Sequence, residues 1–336
     1  MKQPVEFRNY KPVSKVSIVI LNFNGKDLLS MPLDSIEKLN YPKELLEVII
    51  VDNGSTDGSI EFLKIKNVRV VALKDNKGYS SMNAGIAKAT GEFLFLLNND
   101  LALEKNCITE LVRTYTTNPG IGILSPLILD TKYRVMATRY ISRSYYCGGT
   151  HIPYKKSKLL PVQDAAFVGL IFFHKSLIKK LGGQVWDPDY FLYAEDLDIS
   201  LRTHMLGLNI KQVNTAIVSH VWDGTISKYF SSPTRAYLSE RNLLVTFLKD
   251  ADMRSIVLYS PLVILARTAS IIRQLIVMDF PVVRAKLRAY TYAFVHIRQI
   301  LKKRRAVQSR RVVADSKFFP KLCNEKAFIK NILGIN

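Results

Sequence analysis

The sequence contains few cysteines, and their spacing does not indicate a disulfide framework or a zinc site. Three are present in 336 residues, Cys107, Cys147 and Cys323, and they lie far apart without a CxxC pair. A disulfide-stapled secreted scaffold and a structural zinc module are therefore excluded as starting hypotheses, and a reducing compartment is expected. The first fifteen residues have no apolar stretch of the secretory type, so we expect no signal peptide.

Long apolar runs are also lacking. The best candidate for a membrane-spanning helix, residues 255–278, is interrupted by Pro261, Arg267 and Arg273. Because an interior proline disturbs a helix and buried charge is costly in lipid, this pattern argues against a spanning helix. The G-x-G-x-x-G fingerprint of nicotinamide-binding proteins is absent after the first apolar segment.

Acidic residues are scarce relative to basic ones, with 28 Asp and Glu against 48 Lys and Arg and a formal net charge of +20. Residues 251–336 hold 17 Lys and Arg against 4 Asp and Glu, whereas the first 250 residues hold 31 against 24. Such a charge indicates nucleic acid, anionic lipid or a phosphorylated substrate as partner. We expect no nucleic acid, because the basic residues alternate with aliphatic runs and no zinc-finger or RRM motif occurs.

The first hundred residues alternate between apolar segments and amphipathic ones. Continuous apolar segments at 16–22, 46–52, 68–73 and 92–97 are separated by helical patterns. Strands that are apolar on both faces are typical of a parallel sheet covered by helices. The sequence therefore predicts a doubly wound α/β architecture.

Each of these four segments is followed by polar residues. Ligands bind at the carboxyl ends of strands in such sheets, although Asn, Asp and Gly also serve ordinary turns. The four stretches are NFNG at 22–25, DNGS at 52–55, DNKG at 75–78 and NND at 98–100. Their collection at one edge favours a binding site over turn chemistry alone.

An acidic cluster, Glu195-Asp196-Leu197-Asp198, stands at the start of a helical pattern. Acidic residues favour a helix N-terminus, and a carboxylate there could also serve as a general base. Asp198 and Arg202, four residues apart, are predicted to form a structural pair.

These motifs together resemble family 2 glycosyltransferases of the GT-A fold, and most closely their rhamnosyltransferase-like branch. The similarity covers about residues 14–250 in the segments VSIVILNFNG, VIIVDNGSTDGS, NKGYSSMNAGIAKATGEFLFLLNND and YFLYAEDLDISLRTHMLG. It implies a Rossmann-like, mainly parallel sheet with helices on both faces. It also implies inverting transfer of a sugar from a nucleoside-diphosphate sugar, with Mg²⁺ or Mn²⁺.

The resemblance assigns the metal to Asp100 and His220. Asp100 matches the last residue of the family's metal motif, whose first position is Asn98 here instead of a carboxylate. On the residues alone, Asp100 could equally cap the following helix, and His220 could be an ordinary core or surface histidine. Asp196 matches the general base, with Glu195 beside it in the acceptor site.

The resemblance also places residues around the sugar nucleotide. Many relatives have Asp where Asn53 stands, and because an amide can donate as well as accept, the base is left open. The predicted donor-site residues are Asn22, Phe23, Asn24, Asp52, Asn53, Gly78, Asn83, Asn98, Asn99, Gly169, Trp186, Asp187 and Arg241.

We predict a catalytic domain at residues 1–225, with a nucleotide-binding half at about 14–103 and an acceptor half at about 104–225. Residues 226–336 form a basic helical region, either an ordinary packed subdomain or one that lies on a membrane surface. The expected acceptor is a glycan or a polyprenyl-linked glycan, and the expected location is cytoplasmic, peripheral on the inner face of the cell membrane. The alternatives are a non-catalytic sugar-nucleotide or glycan-binding relative and, less favoured by the charge pattern, a nucleic-acid-binding protein.

Overall fold

The computed structural model describes residues 14–136, 140–148, 151–153, 155, 159–221, 229–326 and 329. The strands in this part of the chain are β1 (Val16–Asn22), β2 (Leu46–Asp52), β3 (Arg69–Ala72), β4 (Phe93–Asn98), β5 (Leu101–Leu103), β6 (Ile121–Asp130), β7 (Arg134–Met136), β8 (Tyr140–Ile141), β9 (Cys147–Gly148), β10 (His151–Pro153), β11 (Val162–Asp164), β12 (Ile171–His174) and β13 (Asn209–His220).

The helices follow the same alternation in the first half and then dominate the second. They are α1 (Ser30–Glu37), α2 (Ser59–Lys64), α3 (Met82–Ile86), α4 (Cys107–Thr117), α5 (Ser176–Lys180), α6 (Glu195–Met205), α7 (Ser232–Asp250), α8 (Met253–Ile276), α9 (Phe280–Val295), α10 (Ile297–Gln308) and α11 (Asp315–Leu322).

The main sheet has the order β10-β7-β6-β12-β4-β1-β2-β3. β3, β2, β1 and β4 are mutually parallel, and β12 joins β4 to β6 in antiparallel pairs. β13 runs parallel beside β6 and pairs with β5 and β11. The predicted α/β fold class is confirmed, and the four predicted strands agree with β1 to β4 to within one residue at each end.

Apolar burial on both faces explains why these segments form parallel strands. Val16, Ile18 and Ile20 of β1 pack into one core cluster, whereas Val19 of the same strand packs into another. Successive residues of a strand point to opposite faces, so a segment that is apolar at every position must be covered on both sides. The sheet is therefore held between two layers, and its polar strand ends are directed to the edge.

The C-terminal helices are joined to the rest of the fold through α6. A third core cluster joins Leu197 and Leu201 of α6 to Leu243 and Phe247 of α7 and to Phe319 of α11. The helix that carries the acidic cluster is thus shared between the two predicted regions. The packed-subdomain interpretation of residues 226–336 describes this contact well.

Helix α8 differs from the sequence expectation. It continues through Pro261, and Arg267 turns inward, 4% exposed, with a nitrogen 3.5 Å from the carboxylate of Glu240 on α7. The expectation that these two residues interrupt the segment is therefore wrong. In the described part of the chain, α8 is the one helix long and apolar enough to cross a membrane by length and composition, and 17% of its most apolar window is buried.

Candidate active site

A cleft of about 560 Å³ opens at the carboxyl ends of β1, β2 and β4. The predicted site residues that line it are Phe23, Asn53, Gly78, Asn98, Asn99, Asp100, Gly169, Trp186, Glu195, Asp196 and His220. Asp100 and the Glu195–Asp196 pair, far apart in the sequence, therefore meet in one cavity. This is the arrangement expected where parallel strands present their polar ends at one edge of a sheet.

Asp100 faces His220 because β5 pairs with the end of β13, where Leu101 lies opposite His220. Oδ2 of Asp100 is 3.1 Å from Nε2 of His220. The other oxygen, Oδ1, is buried and accepts no hydrogen bond from the described residues. The helix-capping alternative for Asp100 is wrong, since β5 intervenes and α4 begins only at Cys107.

The Asp100–His220 pair suits a hard divalent ion. A buried carboxylate oxygen without a donor is costly unless a cation approaches it, and the pair offers one oxygen and one nitrogen ligand. Mg²⁺ and similar ions keep several positions for water and substrate phosphates, so two protein ligands are sufficient. No group of three His, Cys, Asp or Glu side chains comes together in the described ranges, which agrees with Asn98 occupying a carboxylate position of the family motif.

Tyr79 is a site residue that the sequence reasoning missed. It lines the cleft, and its phenol hydrogen-bonds the side chain of Asn98. Burial raises the pKa of Tyr79 far above its ordinary value, and the nearby carboxylates of Glu195 and Asp100 raise it further. Tyr79 therefore stays protonated near the carboxylates of Asp100 and Glu195. Its position directly after Gly78, in a segment already assigned to the site, was the available signal.

Gly78 permits a close approach between the two walls of the cleft. It has φ +62°, and a Cβ added there would lie 1.8 Å from the carbonyl oxygen of Phe191. The neighbouring amide of Tyr79 donates a 2.9 Å hydrogen bond to the same oxygen. Glycine is therefore required by sterics as well as by backbone angle, and its contact with a diphosphate stays a prediction.

Asn53 is occupied by the loop that leads to Gly78. Its Nδ2 donates to Asn76 Oδ1 at 2.8 Å and to the Gly78 carbonyl at 3.1 Å. Its Oδ1 accepts from the Lys77 amide at 2.9 Å. Because both donated bonds need an amide, an aspartate could not replace Asn53 without losing them. Asn53 therefore fixes the loop, and a contact with the base stays a prediction.

Two other predicted donor-site residues, Asn22 and Asp52, form a buried hydrogen-bond network behind the cleft instead of lining it. Asn22 Nδ2 donates to Asp52 Oδ2 at 3.0 Å, and Asn99 Nδ2 donates to Asn22 Oδ1 at 2.7 Å. Asp52 Oδ1 accepts from the Ser55 amide at 3.0 Å. These bonds fasten the loops that follow β1, β2 and β4 to one another.

Asn24 and Asn83 also lie outside the cleft lining. The side-chain oxygen of Asn24 accepts from the Thr56 amide at 2.8 Å. Asn83 brackets the backbone of Trp186, donating to its carbonyl at 2.8 Å and accepting from its amide at 3.1 Å. Asn83 therefore positions Trp186, which does line the cleft.

The placement of Asp187 and Arg241 does not support a donor-site role. Asp187 is buried in ion pairs with Lys249, at 2.7 Å, and Lys303; Coulombic attraction and hydrogen bonds from these lysines outweigh burial and hold its pKa well below the ordinary range. Arg241 donates to the Asp189 carbonyl at 2.8 Å and lies over the ring of Tyr292. Both residues anchor the wall of the cleft from behind.

Glu195 and Asp196 occupy the first turn of α6, so the expected helix N-terminus is present. The helix begins after Ala194, whose φ of +63° is unusual for a residue with a side chain. Both carboxylates line the cleft. The predicted pair of Asp198 and Arg202 is formed at 2.6 Å and is buried.

Arg235 and several aromatic residues complete the cleft and were not predicted. Arg235, in the first turn of α7, is the one Lys or Arg among the described residues that line the cavity. It hydrogen-bonds the phenol of Tyr193. The ring of Tyr229 packs edge-on against Phe23 with centroids 5.5 Å apart. Among the predicted site residues only Arg241 lies on α7, and no spacing in the sequence points to Arg235.

A protein-family model matches the part of the chain that contains the strand ends of the cleft. The profile described as "Glycosyl transferase family 2" matches residues 17–177. Residues 17–177 form a glycosyltransferase family 2 domain. The match includes Asp100 and the ends of β1, β2 and β4, whereas Glu195, Asp196 and His220 lie beyond it.

Curated relatives of this chain are named as glycosyltransferases or as a polysaccharide synthase. The probable glycosyltransferase YdaM of Bacillus subtilis is 26% identical over 71% of this chain and 58% of its own length. The poly-β-1,6-N-acetyl-D-glucosamine synthase of Staphylococcus epidermidis is 25% identical over 84% of this chain and 69% of its own length. The chain thus spans about three fifths of the first relative.

Solved structures of glycosyltransferases share the fold of this chain. GalNAc-T7, solved with UDP, GalNAc and Mn²⁺, aligns with a TM-score of 0.56 and 19% identity over 70% of this chain and 48% of its own. The mannosyltransferase PcManGT of Pyrobaculum calidifontis, solved with GDP-Man and Mn²⁺, aligns with a TM-score of 0.50 and 16% identity over 85% and 76%. These similarities establish the GT-A fold.

Replacing Asn53 with Asp should destabilise the protein, whereas Asn76→Asp should not. Asn53→Asp removes two donated hydrogen bonds and sets a carboxylate against two acceptor oxygens, at a cost of about 1–3 kcal/mol. Asn76→Asp keeps the acceptor that Asn53 and the Gly78 amide use, so its loss should be within about 0.5 kcal/mol. Urea unfolding of both variants measures this difference, and equal losses would contradict the assigned donor role of Asn53.

Proposed function

We propose that this chain transfers a sugar from a nucleoside-diphosphate sugar to a hydroxyl group of a glycan or lipid-linked glycan, with inversion at the anomeric carbon. The observation that carries the proposal is the single cleft that contains both the Asp100–His220 pair and the Glu195–Asp196 pair. Such a transfer requires neutralisation of the departing diphosphate and a carboxylate that takes a proton from the acceptor. The two pairs supply one function each.

The donor side is built around Asp100 and His220. These two residues would hold a divalent ion, which when bound neutralises negative charge on the diphosphate. Arg235 adds a permanent positive charge to the same cavity. Tyr79, kept protonated by its surroundings, offers a hydroxyl hydrogen bond near Asn98. Fixed donors of this kind stabilise charge that develops in the transition state.

The acceptor side is built around Asp196. Its carboxylate takes the proton of the acceptor hydroxyl while that oxygen bonds to the anomeric carbon. The bond from the anomeric carbon to the diphosphate oxygen breaks in the same step, and the electron pair leaves with the nucleoside diphosphate. Glu195 lies beside the base in the acceptor site. A single displacement of this type needs no nucleophilic side chain.

A non-catalytic nucleotide-sugar-binding protein is the second candidate, and one observation favours it. Asn98 occupies the position of a carboxylate in the family motif, which leaves Asp100 as the acidic ligand. The base and the sugar also remain open: the solved neighbours carry UDP in one case and GDP-Man in another. The rhamnosyltransferase-like branch remains a prediction.

Nucleoside diphosphates should stabilise the protein only when metal is present. In a thermal-shift panel of UDP, GDP and dTDP with and without Mn²⁺, one nucleotide at 100 times its Kd should add about 2.7 kcal/mol of stability. Asp100→Asn should abolish the metal-dependent part, and Asp34→Asn, which alters an exposed carboxylate of α1, should retain it. Stabilisation that is equal without Mn²⁺, or in Asp100→Asn, would contradict the metal assignment.

Asp196→Asn should separate the enzyme from the binding protein. The amide cannot accept the proton, so transfer from a panel of sugar nucleotides should fall by about 10²–10⁴-fold, while the thermal shift with Mn²⁺ and the nucleotide is retained. Release of nucleoside diphosphate measures turnover. Unchanged turnover would show that another group is the base, and absence of turnover in the wild-type protein with every donor would support the binding protein.

The membrane surface is the proposed partner of the C-terminal helices. Between Arg254 and Arg273, the exposed side chains of α8 are uncharged, because Arg267 is turned inward to Glu240. Many large apolar side chains are exposed along α8, its junction with α9, and α9 itself, and they include Val257, Leu258, Ile264, Leu265, Ile276, Val277, Met278, Phe280, Phe294 and Val295. We call this the α8–α9 face.

Basic residues accompany the α8–α9 face, since Arg254, Arg273, Arg284 and Arg288 are all exposed. Apolar side chains with flanking arginines favour an anionic lipid surface, to which each basic residue adds about 1 kcal/mol. This placement is consistent with a lipid-linked acceptor and with a location on the inner face of the cell membrane.

Ile264→Asn/Leu265→Asn should weaken binding to vesicles. Each side chain is 65% exposed, and a buried aliphatic side chain contributes roughly 1.5–3 kcal/mol, so partitioning should fall by more than about tenfold. Ile65→Asn, an 81% exposed site at the end of α2, is the matched control. Flotation with phosphatidylcholine vesicles, with and without phosphatidylglycerol, measures binding. Unchanged flotation with an altered oligomeric state would make the face a dimer interface instead.

A further inference from the structure

The wall of the cleft that leads into the catalytic helix has no regular secondary structure of its own. Residues 182–194 form neither helix nor strand, yet Trp186, Phe191, Leu192 and Tyr193 line the cavity. We call this stretch the acceptor-side loop. Tyr193 and Ala194, just before Glu195, have φ of +70° and +63°, a conformation that persists only where surrounding contacts impose it. The loop therefore depends on anchors outside itself.

Those anchors come from α7 and α10. Asn242 Nδ2 donates to the carbonyls of Leu192 and Tyr193 at 2.9 and 2.8 Å. The hydroxyls of Tyr190 and Thr246 are 2.7 Å apart. Lys303 of α10 pairs with Asp189 at 2.6 Å. The helices that follow residue 226 thus hold the loop from its outer side along most of its length.

Lys249 differs from the other anchors because it reaches two elements. Its ammonium is 2.7 Å from Asp187 of the acceptor-side loop and also pairs with Asp198 of α6. The side chain is 2% exposed and lies 4.7 Å from the centroid of the Tyr190 ring. Asp198 stands two residues after Asp196, so one buried cation connects the loop to the helix that carries the proposed base.

Side chains of both charge signs surround Lys249. Burial, reinforced by the carboxylate of Asp198, raises the pKa of Asp250 well above its ordinary value, which favours the neutral form of that residue. Lys249, Lys303 and Arg202 then face the carboxylates of Asp187, Asp189 and Asp198. A buried ion network of this kind adds little net stability over apolar packing, but it is favourable only when its charged groups keep their distances and orientations.

We propose that Lys249 is a positioning residue for the acceptor site: it sets the separation between the Trp186 wall and the Glu195–Asp196 turn. The expected effect on catalysis rests on the proposed function. The expected effect on the position of the Trp186 wall rests only on the ion pairs of Lys249 with Asp187 and Asp198. It makes α7 a working part of the active site, although α7 follows the predicted catalytic domain in the sequence. Misplacement of a reacting group by about 1 Å can cost about 100-fold in rate.

Lys249→Met tests this role, with two companion variants. Lys249→Arg keeps a cation that can bridge two carboxylates and should rescue most of the effect. If the single variant fails to fold, Asp187→Asn/Lys249→Met removes one charge of each sign and still breaks the bridge. Lys302→Met, at an exposed site on α10, is the control.

Two measurements decide the outcome. In a Trp222→Phe background Trp186, 4% exposed, is the single tryptophan, and acrylamide should quench its fluorescence several-fold more strongly once the bridge is broken. With the nucleotide sugar that turns over, kcat should fall by about 10–100-fold while the donor KM changes less than about threefold. A folded double variant with wild-type quenching and wild-type kcat would overturn the proposal. If the wild-type protein transfers no sugar, the proposed function fails and the quenching still decides whether Lys249 holds the wall.

Discussion

The parallel register of β1 with β2 and β4 is the constraint on which the cleft depends. It sets Asn22 opposite Asp52 and Leu21 opposite Asn98, so the chain leaves three neighbouring strands at the same level. The loops that follow cannot continue the ladder and need other partners for their backbone groups. The Ser55 amide donates to Asp52 Oδ1 and the Asn24 amide donates to Ser55 Oγ. The side-chain bonds Asn22–Asp52 and Asn99–Asn22 then connect the three loops to one another. Asp100 lies between the end of β4 and β5, and the pairing of β5 with β13 brings it beside His220.

The polar residues around the cleft therefore divide into two kinds with different physical requirements. Asn22, Asp52 and Asn53 are almost fully buried. Their side chains form hydrogen bonds within the protein, so they fix the positions of the loops. Asp100, Glu195 and Asp196 face the cavity and provide charge. Similar residue types fill both sets, because amides and carboxylates are suited to closing loops as well as to binding metals and sugars. Residue type alone does not separate them.

Several parts of the structure followed from the sequence, and several could not. Continuous apolar segments specify β1 to β4 and the side of the sheet on which ligands bind, since both depend on local pattern. The sequence left open whether Asp100 caps a helix, because three apolar residues, Leu101–Leu103, are too few to predict a strand. The pairing of this short strand with β13 is a long-range contact that no local pattern indicates. For the same reason Arg235 and Lys249 were missed, and Asp187 was assigned to the donor. Arg267 interrupts an apolar run in the sequence. In the folded protein, however, its side chain is turned inward to Glu240, so the surface of α8 carries no charge at this position.

The contact between Gly78 and the Phe191 carbonyl joins the donor-side turn to the acceptor-side loop without an intervening side chain. Asn53 holds the other end of that turn through the Gly78 carbonyl, so the Asn53 loop, the turn and the acceptor-side loop form one continuous hydrogen-bonded strip. Because a Cβ at Gly78 would already overlap the Phe191 carbonyl, the turn has no room to move toward that loop unless the loop moves with it. The two walls of the cleft therefore act as one unit.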